Sequence, residues 1–483
     1  MRAFTILRAG LLAAAAAAAV LVPAVGGAQP AGGGSSGPPP QPQQFMPNPD
    51  LEPSTDPQIK FEKYTLANGL EVILVPDQSV PIVAVNVYYH VGSGNEVANK
   101  TGFAHLFEHM MFQGSKHVGD DMHFEILKKI GADGVNGTTN QDRTNYFEVV
   151  PSNQIETGLW LESDRMGFLL DELTAKSLGN QIDVVRNERR QNYDNRPYGK
   201  ALFALYQAMY PPGHPYRYLT IGKHEDLESA SVDDVKNFFK TWYVPANATL
   251  CVVGDFDLAT GKQLVDKWFG GFPKSAKPAI VNVPMPAPHP AEVTVTDDFA
   301  KLTQITFAWH TPAYYTAEDA QLDIVANALT EEGPGRLYRA LVYDRPLAQS
   351  VEASQSSAGF SSTFVITVTL RGGTKVDEVK AIVLAEVGKL ATENLSPKDI
   401  HRVVAGNESG TIRRLESVMG RAQALQQYNH YLGAPDKFTW DLDRYRKTTA
   451  DQIRATAAKY LVPAQVVTII TVPGAGAPAA GGK

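Results

Sequence analysis

From about residue 60 onward, short apolar runs alternate with stretches of helical spacing. Residues 61–76 (FEKYTLANGLEVILVP) read as two strands joined at Asn68-Gly69, a dipeptide suited to a tight hairpin turn. Residues 82–90 (IVAVNVYYH) form a third strand, followed by a Gly-rich turn at 92–94. Apolar positions then recur at helical intervals over 102–112, 202–210 and 232–242, and 248–253 returns to a strand. Asp120 and Asp121 stand where a helix beginning at Met122 would be capped. The mixture predicts an α+β fold in which mostly antiparallel sheets are packed with helices.

The pattern also repeats. Ser231-Val-Asp-Asp-Val235 and Thr449-Ala-Asp-Gln-Ile453 are both helix starts capped by a hydroxyl. Eight residues beyond each comes a Val-Pro-Ala stretch, Tyr243-Val-Pro-Ala-Asn247 and Leu461-Val-Pro-Ala-Gln465, and then an apolar strand. The offset is 449 − 231 = 218 residues, without a gap. Two units sharing this signature predict an internal duplication. Residues 272–292 separate them and carry six Pro, which cannot donate to a sheet ladder. The expected organisation is a domain at 59–272, a linker at 273–292 and a homologous domain at 293–472.

The ends read differently. Residues 1–28 have the form of a secretory signal: Arg2 and Arg8, then an apolar stretch, then Gly26-Gly27-Ala28. Residues 29–58 are a Pro/Gly/Gln-rich spacer and 473–483 a Gly/Ala-rich tail. Removing the signal takes two positive charges from a net of −7, leaving −7 − 2 = −9. An acidic chain lacks the basic footprint of a nucleic-acid binder, and no stable membrane insertion is expected. The single cysteine, Cys251, lies in an apolar strand, which excludes disulfides within the chain and multi-Cys zinc sites. The expected location is outside the cytoplasm, in a periplasm or beyond it.

The chemistry concentrates at His105-Leu-Phe-Glu108-His109. Positions i and i+4 of a helix share one face, so both imidazoles can reach one metal with Glu108 beside them. Zinc suits nitrogen and carboxylate ligands, and it lowers the pKa of a bound water. Glu108 is placed to take that water's proton. The plainer alternative is a helix with two incidental histidines. The order His-x-x-Glu-His is, however, the inverted form of a metallopeptidase motif. A catalytic zinc needs a third protein ligand, and the acids of this chain are too numerous for spacing to choose among them. His117, His123, His214 and His224 lack the i, i+4 spacing and read as surface or hydrogen-bonded histidines.

The run Gly92-Ser-Gly-Asn-Glu96, with Thr101-Gly-Phe-Ala-His-Leu-Phe-Glu-His-Met-Met-Phe-Gln-Gly-Ser115, resembles the pitrilysin-like zinc metallopeptidases. So do Val135-Asn-Gly-Thr-Thr139, Thr144-Asn-Tyr146, His214-Pro-Tyr216 and Val253-Gly-Asp255. The resemblance spans roughly 400 residues. It implies two homologous α+β domains forming half of a clamshell, one Zn2+ per chain, and hydrolysis of internal bonds in peptides or unfolded segments. It implies Glu188 as third ligand, 79 residues after His109, and Gln181 as a neighbour behind the ligands where the family usually has Glu. It also implies an edge strand around Asn136, Gly137 and Thr138 that receives the substrate, although Gly134-Val-Asn-Gly137 reads equally well as a turn.

One departure matters for assembly. Members acting as a complete unit carry an Arg and a Tyr in the second half, and the matching positions here are Val342 and Gln349. Tyr343 and Arg345 lie near, in the wrong order and spacing, and the second half has no His-x-x-Glu-His. The resemblance therefore implies a heterodimer in which a homologous partner chain supplies the Arg/Tyr pair. A non-catalytic peptide-binding subunit, and a processing peptidase for one exported peptide, remain as alternatives.

Overall fold

The computed structural model describes residues 56–475, residue 280 excepted. The signal at 1–28, nearly all of the spacer and the last eight residues of the tail lie outside the described residues.

From Gln58 onward the chain is one compact unit containing two sheets. Strands β1 (Glu62–Thr65), β2 (Glu71–Pro76), β3 (Ile82–Tyr89), β4 (Asp133–Thr139), β5 (Thr144–Pro151) and β6 (Ala248–Gly254) build the first, in the order β1-β2-β6-β3-β5-β4. Strands β7 (Ala291–Asp297), β8 (Gln304–Thr311), β9 (Ala348–Ser356), β10 (Ser362–Leu370) and β11 (Val467–Pro473) build the second, in the order β7-β11-β8-β10-β9. The second order repeats the last five strands of the first, with the same senses. β2/β6 and β7/β11 are parallel, and the remaining pairs are antiparallel. The proline-rich stretch carries no helix or strand until β7 opens at Ala291, and β11 extends onto Pro473, one residue into the expected tail.

Every residue of β6 is buried, because helices cover both faces of the first sheet. One face, with Val72, Leu74, Val83, Val85 and Val87, packs on the helices of the first half. These include α1 (Phe103–Met110), α2 (Met122–Lys129), α3 (Ile155–Glu172) and α4 (Ala175–Arg189). The alternate residues Ile73, Val75, Ala84, Cys251 and Val253 point the other way. They meet Val418, Ala422 and Leu425 of the helix Val418–Leu432, which the sequence places in the second half. The exchange is mutual. α5 (Gly199–Met209), from the first half, puts Ala201, Leu205 and Met209 against Ala308, Val467 and Ile469 of the second sheet.

Local signals behave largely as expected. Ser231 and Thr449 each close a capping box with the residue three positions on. Asp121 differs: it stands at the N-cap of α2 with φ 59° and its side chain caps nothing.

Candidate metal centre

α1 begins where the backbone turns sharply at Gly102, in the left-handed region at φ 86°. A Cβ there would come within 2.9 Å of the Ile221 carbonyl, so only glycine fits. Glu96 reaches back from the preceding loop and accepts the N–H groups of Gly102 and Ala104 at 3.0 and 2.8 Å. Two of the helix's orphan donors are thereby satisfied by one carboxyl, whose pKa burial raises to about 8 against the pull of those hydrogen bonds. Phe103, Ala104, Leu106, Phe107 and Met110 sink into the core. That leaves His105 and His109 on the face turned toward α4.

α4 starts at a capping box on Thr174 and carries Glu188 in its last turn. Its Oε2 lies 3.6 Å from His105 Nε2 and 3.3 Å from His109 Nε2, and the two imidazole nitrogens are 3.3 Å apart. Two zinc bonds of about 2.0–2.1 Å at a tetrahedral angle hold their ligand atoms about 3.3–3.4 Å apart. The triangle is thus the size of one face of a zinc site. Among the described residues these three form the one group of His, Cys, Asp or Glu within joint ligating reach.

The two imidazoles differ in protonation. Burial, together with the neighbouring His109, holds His105 down to about 4, so its ring is a neutral lone-pair donor. Burial presses on His109 too, but the neighbouring Glu188 and Glu108 carboxyls together outweigh it and its pKa is raised. Glu188 Oε2 is buried without a hydrogen-bond partner. Two facing imidazole nitrogens and one unpartnered carboxylate oxygen make a cavity for a cation. Gln181, two turns before Glu188 on α4, is buried and close enough to His109 to contribute to its raised pKa.

Glu108 is 8% exposed, and its Oε2 accepts the Thr139 hydroxyl at 2.6 Å. Burial raises its pKa above the ordinary carboxylate value, with Thr139 and His109 pulling the other way. Thr139 is the last residue of β4, the edge strand of the first sheet. Asn136 and Gly137 pair with Phe147 and Tyr146, so this segment is strand; Gly134, φ 59°, lies within it, in the bulge where the register shifts between Asp133 and Asn136. Asn136 faces solvent, while Gly137 is pressed onto the site. A Cβ on Gly137 would meet Glu108 Cγ at 3.0 Å, Phe112 Cε2 at 3.1 Å and Tyr146 Cδ1 at 3.2 Å. Gly137→Ala is therefore expected to displace Glu108 or the strand at a cost of about 1–3 kcal/mol. Denaturant midpoints and kcat/KM measured together check this, and a neutral result in both would show that the strand yields freely.

The remaining histidines stand apart. His117 Nδ1 bonds Asp164 at 2.5 Å, His224 Nε2 bonds Asp194 at 3.1 Å, His214 Nδ1 accepts the Tyr216 N–H, and His123 is buried beside Phe112. In the second half, Val342 packs on the second core, and Gln349 is exposed on β9. Gln349 borders a cavity of about 310 Å³ with Tyr198, Phe299 and Lys301. Tyr343 is 75% exposed. Sequence reasoning missed Thr139 and Glu96 as working residues, although both lie inside runs that carried the resemblance.

Residues 71–212 match the family model described as insulinase (peptidase family M16), and residues 229–407 match the one described as peptidase M16 inactive domain. The chain is 28% identical to zinc protease PqqE of Helicobacter pylori, over 76% of this chain and 83% of that protein. It superimposes on the crystal structure of a protease from Helicobacter pylori with a TM-score of 0.80 at 26% identity, covering 86% of this chain and 99% of the other. The periplasmic protease PqqL of Escherichia coli shares the fold, with a TM-score of 0.71 at 17% identity. There 88% of this chain covers 49% of the longer one.

Proposed function

Because the chain belongs to the M16 peptidase family, we propose that it is a zinc-dependent endopeptidase acting on peptides or unfolded segments. The observation that carries this reading is the triangle of His105, His109 and Glu188 ligating atoms, 3.3–3.6 Å on a side, with Glu108 on the same helix. A zinc ion held by His105, His109 and Glu188 would supply a Lewis acid for the scissile carbonyl and lower the pKa of a bound water. Glu108 would take a proton from the attacking water and pass it to the leaving amine. The Thr139 hydroxyl occupies Oε2 of Glu108, which leaves Oε1 for the transfer. The free edge of β4 offers backbone groups to an extended peptide, and Asn136 steadies the bond to be cut. Recognition through the backbone tolerates many sequences and excludes folded proteins, whose strands are already paired.

Catalysis by a heterodimer fits the same residues. Neither Val342 nor Gln349 offers the guanidinium or phenol that a lone enzyme would use on the oxyanion, and the second half matches a model described as inactive. In PqqL one chain is about twice the length that this fold covers. A separate homologous chain would supply the second unit here. The N-terminal signal pattern and the periplasmic PqqL likeness support an exported, periplasmic protein. No helix among the described residues is long and apolar enough to cross a membrane.

The test is metal analysis and cleavage of a quenched peptide mixture. One zinc per chain is expected, chelation should abolish cleavage, and zinc should restore it. Adding a homologous chain that carries the Arg/Tyr pair should raise the rate about 100- to 1000-fold, the usual worth of an oxyanion donor. A chain that cleaves as fast alone as in any mixture would sink the heterodimer. A zinc-loaded chain that cleaves nothing, alone or with a homologous partner, would instead favour a peptide-binding subunit, the reading to which Val342 and Gln349 lend support.

A further inference from the structure

The turn of the β4–β5 hairpin, residues 140–143, is where the second half grips the site. Asp142 accepts hydrogen bonds from three separate elements. Its Oδ2 takes the Gly359 N–H and the Tyr431 hydroxyl, each at 2.9 Å, and its Oδ1 takes the Tyr216 hydroxyl. Gly359 lies in the turn between β9 and β10, and Tyr431 on the helix Val418–Leu432. A Cβ at Gly359 would stand 3.1 Å from Asp142 Oδ1, so the two turns are in close contact. They are also counterparts: 144 + 218 = 362, the first residue of β10. Tyr216 tightens the junction, since its hydroxyl accepts the Phe360 N–H at 3.2 Å and its ring stacks on Phe360 at 5.0 Å. Burial and the nearby Asp142 push the Tyr431 and Tyr216 hydroxyls up, so both remain proton donors.

From this turn, contacts run to the site in two directions. Arg143 binds the Thr138 carbonyl at 2.8 Å and Asn145 Oδ1 at 2.9 Å, fixing the end of β4 that presents Thr139 to Glu108. On the other side, the Ser93 and Gly94 N–H groups bind the carbonyls of Asn140 and Gln141 at 3.0 and 2.8 Å. That loop continues to Glu96, which caps α1. The turn therefore touches both the strand that would hold substrate and the helix that bears the motif.

We propose that Asp142 is a positioning residue through which the second half holds β4 in register with α1. The inference rests on the metallopeptidase reading and gives a catalytic duty to a half that has no metal motif of its own. Asp142→Asn keeps the shape but turns an N–H₂ group toward donors, so at least one of the three bonds must break. A reacting group misplaced by about 1 Å costs on the order of 100-fold. The variant should therefore lose about 10- to 100-fold in kcat. KM should change less than kcat, because β4 keeps its backbone groups for substrate and loses only its fixed register against Glu108. Zinc should remain at one per chain, and amide exchange over residues 133–143 should quicken. Tyr431→Phe should show the same signature more weakly.

Asp441→Asn is the comparison. It weakens a carboxylate bonded to Tyr428 on the same helix, 2.9 Å away, without touching the hairpin, and should leave kcat unchanged. If Asp142→Asn loses stability as Asp441→Asn does, yet keeps wild-type kcat and wild-type exchange at 133–143, the proposal is wrong. If the wild type, alone or with a homologous partner, cleaves no faster than Glu108→Gln, the metallopeptidase reading is what fails. Exchange at 133–143 still decides in that case whether Asp142 holds the hairpin.

Discussion

Glu108→Gln should lower peptide hydrolysis by about 10²- to 10⁴-fold, the usual worth of a positioned general base, and leave zinc binding intact. The substitution is nearly isosteric, and the Thr139 hydroxyl that bonds Oε2 at 2.6 Å can still donate to an amide oxygen. His105, His109 and Glu188 are untouched, so metal content should stay at one per chain. The pair of readouts separates the roles. Loss of rate with metal retained identifies Glu108 as the proton acceptor, whereas loss of both would make it a support for the metal-binding helix. An unchanged rate would remove it from the chemistry.

The largest stability effect is expected behind the site. Arg165 on α3 is 2% exposed, and its guanidinium donates to Glu162 through Nε at 2.9 Å and lies 3.9 Å from Glu148 on β5. It also covers the rings of Tyr146 at 4.4 Å and Phe112 at 5.0 Å, the two rings that bracket Gly137. Burial, and then the charge of Glu162, raises Glu148 well above the carboxylate range. Arg165→Met keeps the bulk and removes the cation, leaving a buried carboxyl pair without a counter-charge, at a cost of about 3–5 kcal/mol.

The sign of the pH dependence follows from the raised pKa. Carboxyls that hold protons when folded and release them when unfolded contribute stability below about pH 4.3, and lose it as pH rises toward their folded value. The gap in denaturant midpoint between variant and wild type should therefore be wide at pH 7 and narrower at pH 5. Equal gaps would mean that no uncompensated carboxylate remains in the variant.

Sequence and structure part company where a contact joins distant segments. His105, Glu108 and His109 were legible because one helix turn brings them together, a fact of spacing alone. The duplication was legible in outline, since the repeat of helix, Val-Pro-Ala and strand places β6 and β11 alike, whereas the strand order was not. Glu188 needed the resemblance, because nothing in the local pattern of α4 sets it apart from the other acids. Thr139 and Asp142 were invisible as working residues. Their partners lie 31 residues away in Glu108 and 217 away in Gly359, and no periodicity encodes such pairs. Amphipathic spacing in 418–432 says that one face is buried, but not which sheet it lies on.

That last point has a consequence for how the chain is made. The helix Val418–Leu432 closes over Ile73, Val75, Ala84, Cys251 and Val253, yet it is synthesised 418 − 254 = 164 residues after β6 ends. Until it emerges, the first sheet has one apolar face with nothing to lie against, although the proposed zinc ligands are already present. The order of synthesis thus runs against the order of closure: the site is written first and sealed last. A nascent first half must be kept from aggregating through that face, for instance by holding chaperones, until nearly the whole polypeptide exists.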